Sequence, residues 1–153
     1  MFRQCIEIIK SKYESKVLNI KFEISTGLKY QFIKVDIKKI KIILIHLLSN
    51  AAKFSIGKSP IMIEAHQLVE DNKNFIEISI ADLGIGIDSN QQTKIFENFY
   101  QVKNNYNNKT PGLGLGLGLS IAAKLIEMHG GHLKVTSEGE GKGSCFSFTI
   151  QTF

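Results

Sequence analysis

The longest regular pattern of apolar and polar positions lies in DIKKIKIILIHLLSNAAKF, residues 36–54. At 3.6 residues per turn, Ile37, Ile40, Leu44, Leu47, Leu48 and Ala51 fall on one broad apolar stripe, and Asp36 is a good N-cap. The spacing therefore predicts a helix over the whole stretch. His46, Asn50 and Lys53 stand at i, i+4 and i+7 on the opposite side. That row of imidazole, amide and ammonium suits a metal and phosphates, or else is a solvated helix face. Upstream, Phe2, Cys5, Ile6, Ile9, Tyr13 and Val17 keep a roughly helical period over residues 2–18. In NIKFEIS the alternation of Ile20, Phe22 and Ile24 with polar residues predicts a half-buried strand. Thr26-Gly27 then turns the chain, and residues 29–35 read as extended.

Downstream, IMIEAHQL (61–68) and FIEISIAD (75–82) predict an antiparallel hairpin around Asp71-Asn72-Lys73-Asn74. SNQQTKIFENFY predicts a short helix capped by Ser89 and ending near Phe96. Residues 101–112 are polar, asparagine-rich and without period, the composition of a long functional loop. A second amphipathic helix is expected over 118–129, burying Leu119, Ala122, Ala123, Leu125 and Ile126 and ended by Gly130-Gly131. HLKVTSE and SCFSFTI read as strands around GEGKG. The order of elements predicts an α+β fold, a two-layer sandwich of a mixed β-sheet with helices on one face.

At 153 residues the chain is long enough for one domain with a real core. No apolar run approaches the length of a bilayer, so this segment is expected to make no membrane contact, although a parent chain could be anchored. Two cysteines, Cys5 and Cys145, fit free thiols in a reducing, cytoplasmic setting. The net charge of +5 raises nucleic acid as a partner, but the lysines are scattered and Arg3 is the only arginine. Lys34, Lys38, Lys39 and Lys41 lack interleaved aromatics and read as a solvated helix end, so no nucleic-acid partner is expected. Basicity does suit an anionic ligand.

Four short segments carry chemistry. The first is the row His46, Asn50, Lys53. The second, Asp82-Leu83-Gly84-Ile85-Gly86, sets a carboxylate at a strand end before glycines. There it can accept from an exocyclic amine while bare backbone admits a flat ring, or it is an ordinary turn. The third, Phe96-Glu97-Asn98-Phe99, either opens the loop with aromatics or supplies two core phenylalanines. The fourth alternates glycine with leucine from Gly112 to Leu119 directly before a helix. A tether would need no leucines; exposed N–H groups and a helix dipole suit phosphate oxygens. No Gly-Lys-Ser/Thr follows, so it is not a P-loop.

HLLSNAAKFS, DLGIGI, IFENFYQ and GLGLGLSI, in this order and at these intervals, resemble the N, G1, F and G2 boxes of sensor histidine kinases. The resemblance runs from Asp36 through Phe148. It implies the ATP-binding catalytic domain of that family, with the Bergerat fold shared with gyrase, Hsp90 and MutL. It assigns Asn50 to Mg²⁺, with His46 in direct or water-mediated contact, and Lys53 to the phosphates. Asp82 would bind the adenine amino group, and Gly84 and Gly86 would let the base lie against the strand end. Phe96 and Phe99 would anchor a lid of residues 101–113, to which Lys103 and Lys109 are candidate contributors. The main chain along Gly114-Leu115-Gly116-Leu117-Gly118 would grip the phosphates.

Most members carry asparagine where this chain has His46, and the water-activating ATPases carry glutamate there and aspartate at the place of Lys53. Both replacements argue against hydrolysis of the gyrase type. Leu115 stands where threonine or serine is common. None of the four histidines sits in a phosphoacceptor pattern. The resemblance thus implies a phosphoacceptor and dimerisation domain elsewhere, reached through residues 1–18, with 19–153 as the catalytic domain. A downstream response regulator would take the phosphoryl group. Two alternatives are a nucleotide-sensing module without kinase activity and an ATPase of the same superfamily.

Overall fold

A computed structural model describes residues 1–28, 33–102 and 115–152. The central helix forms as its pattern dictates. Helix α2 spans Ile37–Phe54, and the Asp36 carboxylate accepts from the amides of Lys38 at 3.0 Å and Lys39 at 3.3 Å. Those bonds, the one from Lys39 foremost, hold the Asp36 carboxyl below its ordinary range. Ile40, Leu44, Leu47, Leu48 and Ala51 are buried as expected, together with Ile43 and Ala52, whereas Ile37 is 57% exposed. Ile37 is the first residue of the helix. Helix α1, Phe2–Lys12, buries Cys5 and Ile9 completely against α2. It stops a turn and a half earlier than the apolar period suggests. Tyr13 leaves helical angles, its hydroxyl bonds Ser49, and Val17 is left 68% exposed.

Five strands make one mixed sheet in the order β1-β2-β3-β5-β4. Strand β1 (Asn19–Ile24) runs parallel to β2 (Pro60–Glu70), and β3 (Lys73–Asp82), β5 (Ser144–Gln151) and β4 (Leu133–Thr136) follow antiparallel. The period of two sets Ile63, Ile80 and Phe146 side by side in register, and Ala65, Ile78 and Phe148 beside them. These residues form one buried face under α1, α2 and helix α3 (Gly118–Glu127), the sandwich expected from the order of elements. α3 buries Ala122 and Ile126 and packs Leu119 and Leu125 partly against the same core.

Two local expectations are corrected. The β2–β3 turn is only Asp71-Asn72, both at positive φ (49° and 57°), with Lys73 already paired to Glu70. Aspartate and asparagine tolerate that left-handed pair, which a tight hairpin requires. Ser89–Thr93 form turns rather than a helix, and only Lys94–Phe96 make a 3₁₀ turn. Polar side chains there compete with helical bonding: Asp88 accepts from the Asn90 amide, and Gln92 donates to the carbonyls of Ile87 and Ser137. The extended reading of 29–35 falls partly, and the 101–113 loop mostly, outside the described residues.

Candidate functional site

A cleft of about 410 Å³ opens between α2, the end of β3 and the start of α3. His46, Asn50 and Lys53 line it from the polar side of α2, and Asp82, Gly86 and Leu115-Gly116-Leu117-Gly118 line it from the other elements. Gly84, Phe96 and Phe99 are not in its described wall. Gly84 lies behind it, bridged to Ser55; Phe96 packs partly on the core; Phe99 is 69% exposed. Ile95, Tyr100 and Val102 line that side instead. Gly114, Lys103 and Lys109 lie outside the described residues.

Asp82 ends β3 on the buried face and is 5% exposed. The Ser144 hydroxyl donates to its Oδ2 at 2.7 Å, while Oδ1 is buried and no hydrogen bond of good geometry reaches it. Burial pushes the carboxyl above its ordinary range, and bonds from the Ser144 side chain and nearby amides offset part of that. A buried, half-satisfied carboxylate is costly to keep, and a donor arriving in the cleft would complete it. Backbone packing holds the segment in place. The Gly141 amide donates to Ile85 O at 2.6 Å, the Gly143 amide to Gly84 O at 3.1 Å, and the Ser137 hydroxyl accepts from the Ile87 amide at 3.0 Å. Gly86 has φ +72°, and a Cβ there would fall on the Gly139 carbonyl oxygen, so only glycine fits.

The α2 side is cationic. Burial first, and then the Lys12 charge, hold both the His46 imidazole and the Lys53 ammonium below their ordinary values. His46 therefore stands neutral near pH 7. Its Nδ1 lies where a Cβ on Gly118 would come within 3.0 Å, which puts the imidazole against the start of α3. Leu117 caps that helix without a side-chain bond, so its first N–H groups are left for another acceptor. Gly116 has φ +71°, and its carbonyl accepts from the Phe99 amide at 3.0 Å, with Phe99 itself at φ +64°. The F and G2 segments are thus joined through backbone.

Sequence reasoning missed Lys12, Tyr13 and Ser144 in the wall, and Lys16 at the C-terminal end of α2. Lys16 Nζ donates to the carbonyls of Ala52, Lys53 and Ser55 at 2.9, 2.8 and 3.3 Å, closing the C-terminus of α2. A lysine after the end of a helix carries no local signal of that role. Among the described residues no group of three or more His, Cys, Asp or Glu could hold a metal by itself.

Residues 35–152 match the model of the family described as histidine kinase-, DNA gyrase B-, and HSP90-like ATPase. The chain is 29% identical over 147 residues to the circadian input-output histidine kinase CikA of Synechococcus elongatus, covering 96% of this chain and 19% of that protein. It is 35% identical over 137 residues to the aerobic respiration control sensor protein ArcB of Escherichia coli, covering 90% of this chain and 17% of that one. The chain thus spans less than a fifth of either relative. The solved structure of full-length ShkA in complex with AMPPNP superposes with a TM-score of 0.77 at 27% identity, covering 99% of this chain and 29% of that one.

Proposed function

The chain belongs to the histidine kinase-, DNA gyrase B- and HSP90-like ATPase family, and on that premise we propose that it is the ATP-binding catalytic domain of a sensor histidine kinase. It binds Mg·ATP and passes the γ-phosphoryl group to a histidine on a phosphoacceptor domain in the same parent chain or in trans. A response regulator then receives the group. Residues 1–18 lead in from that domain, residues 19–153 hold the nucleotide, and the lid spans about 101–113. The observation that carries the reading is Asp82, buried with no hydrogen bond of good geometry to its Oδ1, in a cleft that has no other acidic wall residue among those described. An adenine amino group supplies that donor; the guanine carbonyl at the same place would meet a second acceptor.

The other assignments carry over from the four sequence boxes, with Gly84, Phe96 and Phe99 standing outside the described cleft wall. Gly84 and Gly86 admit the base, and main-chain N–H groups from Gly114 to Gly118 meet the phosphates with Lys53. Phe96 and Phe99 anchor the lid. Magnesium favours oxygen donors and water and would take much of its coordination from phosphate oxygens, so the Asn50 amide oxygen would be a fitting single protein ligand. His46, a nitrogen donor, fits better through a metal-bound water. A bound magnesium ion would supply charge neutralisation at the phosphates. The chain's own residues position the triphosphate and spread its charge, which is most of what phosphoryl transfer asks. A neutral imidazole acceptor needs no strong base. The absence of a carboxylate on the described α2 wall speaks against a water-activating ATPase, and no helix among the described residues is long and apolar enough to cross a membrane, in keeping with a cytoplasmic domain.

Calorimetry with ATP, ADP and GTP, with and without magnesium, tests the reading. ATP should bind at least about tenfold more tightly than GTP, the worth of one buried hydrogen bond to a charged acceptor. Equal affinity for the two nucleotides would remove Asp82 from its role.

A further inference from the structure

We infer that Lys12, on α1 and outside all four sequence boxes, is a third phosphate-binding cation of the cleft, reaching the terminal phosphates of the bound nucleotide. This rests on the nucleotide reading above and extends it to an element that the boxes do not include. Lys12 is the last residue of α1, and its side chain crosses to the polar ridge of α2, where Nζ donates to Ser49 Oγ at 3.2 Å. Tyr13 bonds the same hydroxyl at 2.8 Å, and Nζ lies 5.6 Å from the Tyr13 ring centroid, so the lysine head is held at the ridge from two sides. Ser49 sits between His46 and Lys53 on α2, and all of these residues line the one cleft.

Three cationic or protonatable side chains, Lys12, His46 and Lys53, thus converge on the α1–α2 side of the cleft, whose one acidic residue among those described, Asp82, stands on β3 instead. The ion pairs among the described residues use Lys10, Lys39, His66 and Lys124, and none uses Lys12 or Lys53. At this side of the cleft like charges face each other. Their mutual effect is visible in Lys12's depression of both His46 and Lys53. Such an arrangement costs stability in the empty protein and is relieved by a polyanion. The magnesium-bound triphosphate carries its excess negative charge at the far end from the base, and that is the end the α2 ridge and the α3 N-terminus flank. Lys12 has three N–H donors and spends one on Ser49.

The test is calorimetry on the whole chain with adenosine, AMP, ADP and ATP, comparing the unaltered protein with Lys12→Gln and Lys12→Arg. Lys12→Gln should weaken ATP about five- to twentyfold, ADP less, and leave adenosine and AMP unchanged. Lys12→Arg should recover most of the ATP affinity, and the loss should shrink in high salt. ATP affinity within twofold of the unaltered chain would overturn the assignment alone. An equal loss for adenosine and ATP would do the same, showing that the side chain acts by packing α1 on α2. Failure of the unaltered chain to bind any adenine nucleotide would instead overturn the underlying reading.

Discussion

At the Asp82 corner of the cleft, one buried carboxylate is held in place by backbone. The Gly84–Gly86 segment rests on the β4–β5 turn through main-chain bonds, and Ser144 fixes one carboxylate oxygen while leaving the other open. On the α2 ridge, charged and polar side chains do the work instead. Lys12, His46 and Lys53 share one side of the cleft, partly in solvent, and the α1 and α2 residues described there include no acid. The corner selects by shape and by a single unsatisfied acceptor, where a small error leaves a buried group unpaired. The ridge attracts by summed charge, where removing one member leaves the others. Substitutions should therefore act steeply at the corner and by degrees on the ridge.

Gly86→Ala should produce the largest effect. Its Cβ would overlap the Gly139 carbonyl at a residue held at φ +72°, so the corner cannot keep both the turn and the methyl group. We expect a loss of about 3 kcal/mol, read as a fall in melting temperature of roughly 10 °C by calorimetry, with adenosine and ATP binding lost together. A variant that melts with the unaltered chain would show that this corner is soft, and the contrast with the ridge would disappear.

Asp82→Asn comes next and should separate binding from stability. Removing the charged acceptor should weaken adenosine and ATP alike by about 30-fold. Stability should move the other way. The folded-state pKa is raised by burial, so the proton is held more tightly in the folded than in the unfolded chain. That stabilisation is present at low pH and is lost as pH rises through the folded pKa, leaving the ionised form a burden at neutral pH. The empty Asn variant should therefore melt higher than the unaltered protein at pH 7. A lower melting temperature would mean that the Ser144 bond outweighs the burial.

The same contrast explains what was legible in the sequence. α2 and the existence of the β2–β3 hairpin could be read because period and caps are local, and the Asp36 cap follows from them, whereas the Ile63–Ile80 register did not, because the turn is two residues shorter than expected. Asp82 and the α2 row were visible as chemistry at a strand end and on a helix face. Lys12, Tyr13 and Ser144 were not, because their roles depend on α1 crossing α2 and on β5 pairing with β3, which no local pattern encodes. Ser89–Phe96 misled for the opposite reason. Its residues tolerate a helix, but Gln92 finds better partners in Ile87 and Ser137, the latter far along the chain.

His46→Gln should give the smallest change, one of slope rather than of midpoint. Burial and the Lys12 charge depress the imidazole pKa below its ordinary value. On acidification the unfolded chain therefore takes up this proton first, and stability falls as pH drops below the ordinary imidazole range, levelling once the folded pKa is passed. At pH 7 and above the group contributes nothing to the slope. Melting temperatures of the unaltered chain and the Gln variant, measured from pH 8 to pH 5, should run parallel above pH 7 and diverge below it, with the Gln variant losing less. Saturating ATP should narrow the gap, since phosphates beside the imidazole favour its protonated form and offset the repulsion from Lys12. Parallel curves over the whole range would mean that His46 already has an acidic or aqueous partner, and would take the ridge's like-charge crowding out of the comparison.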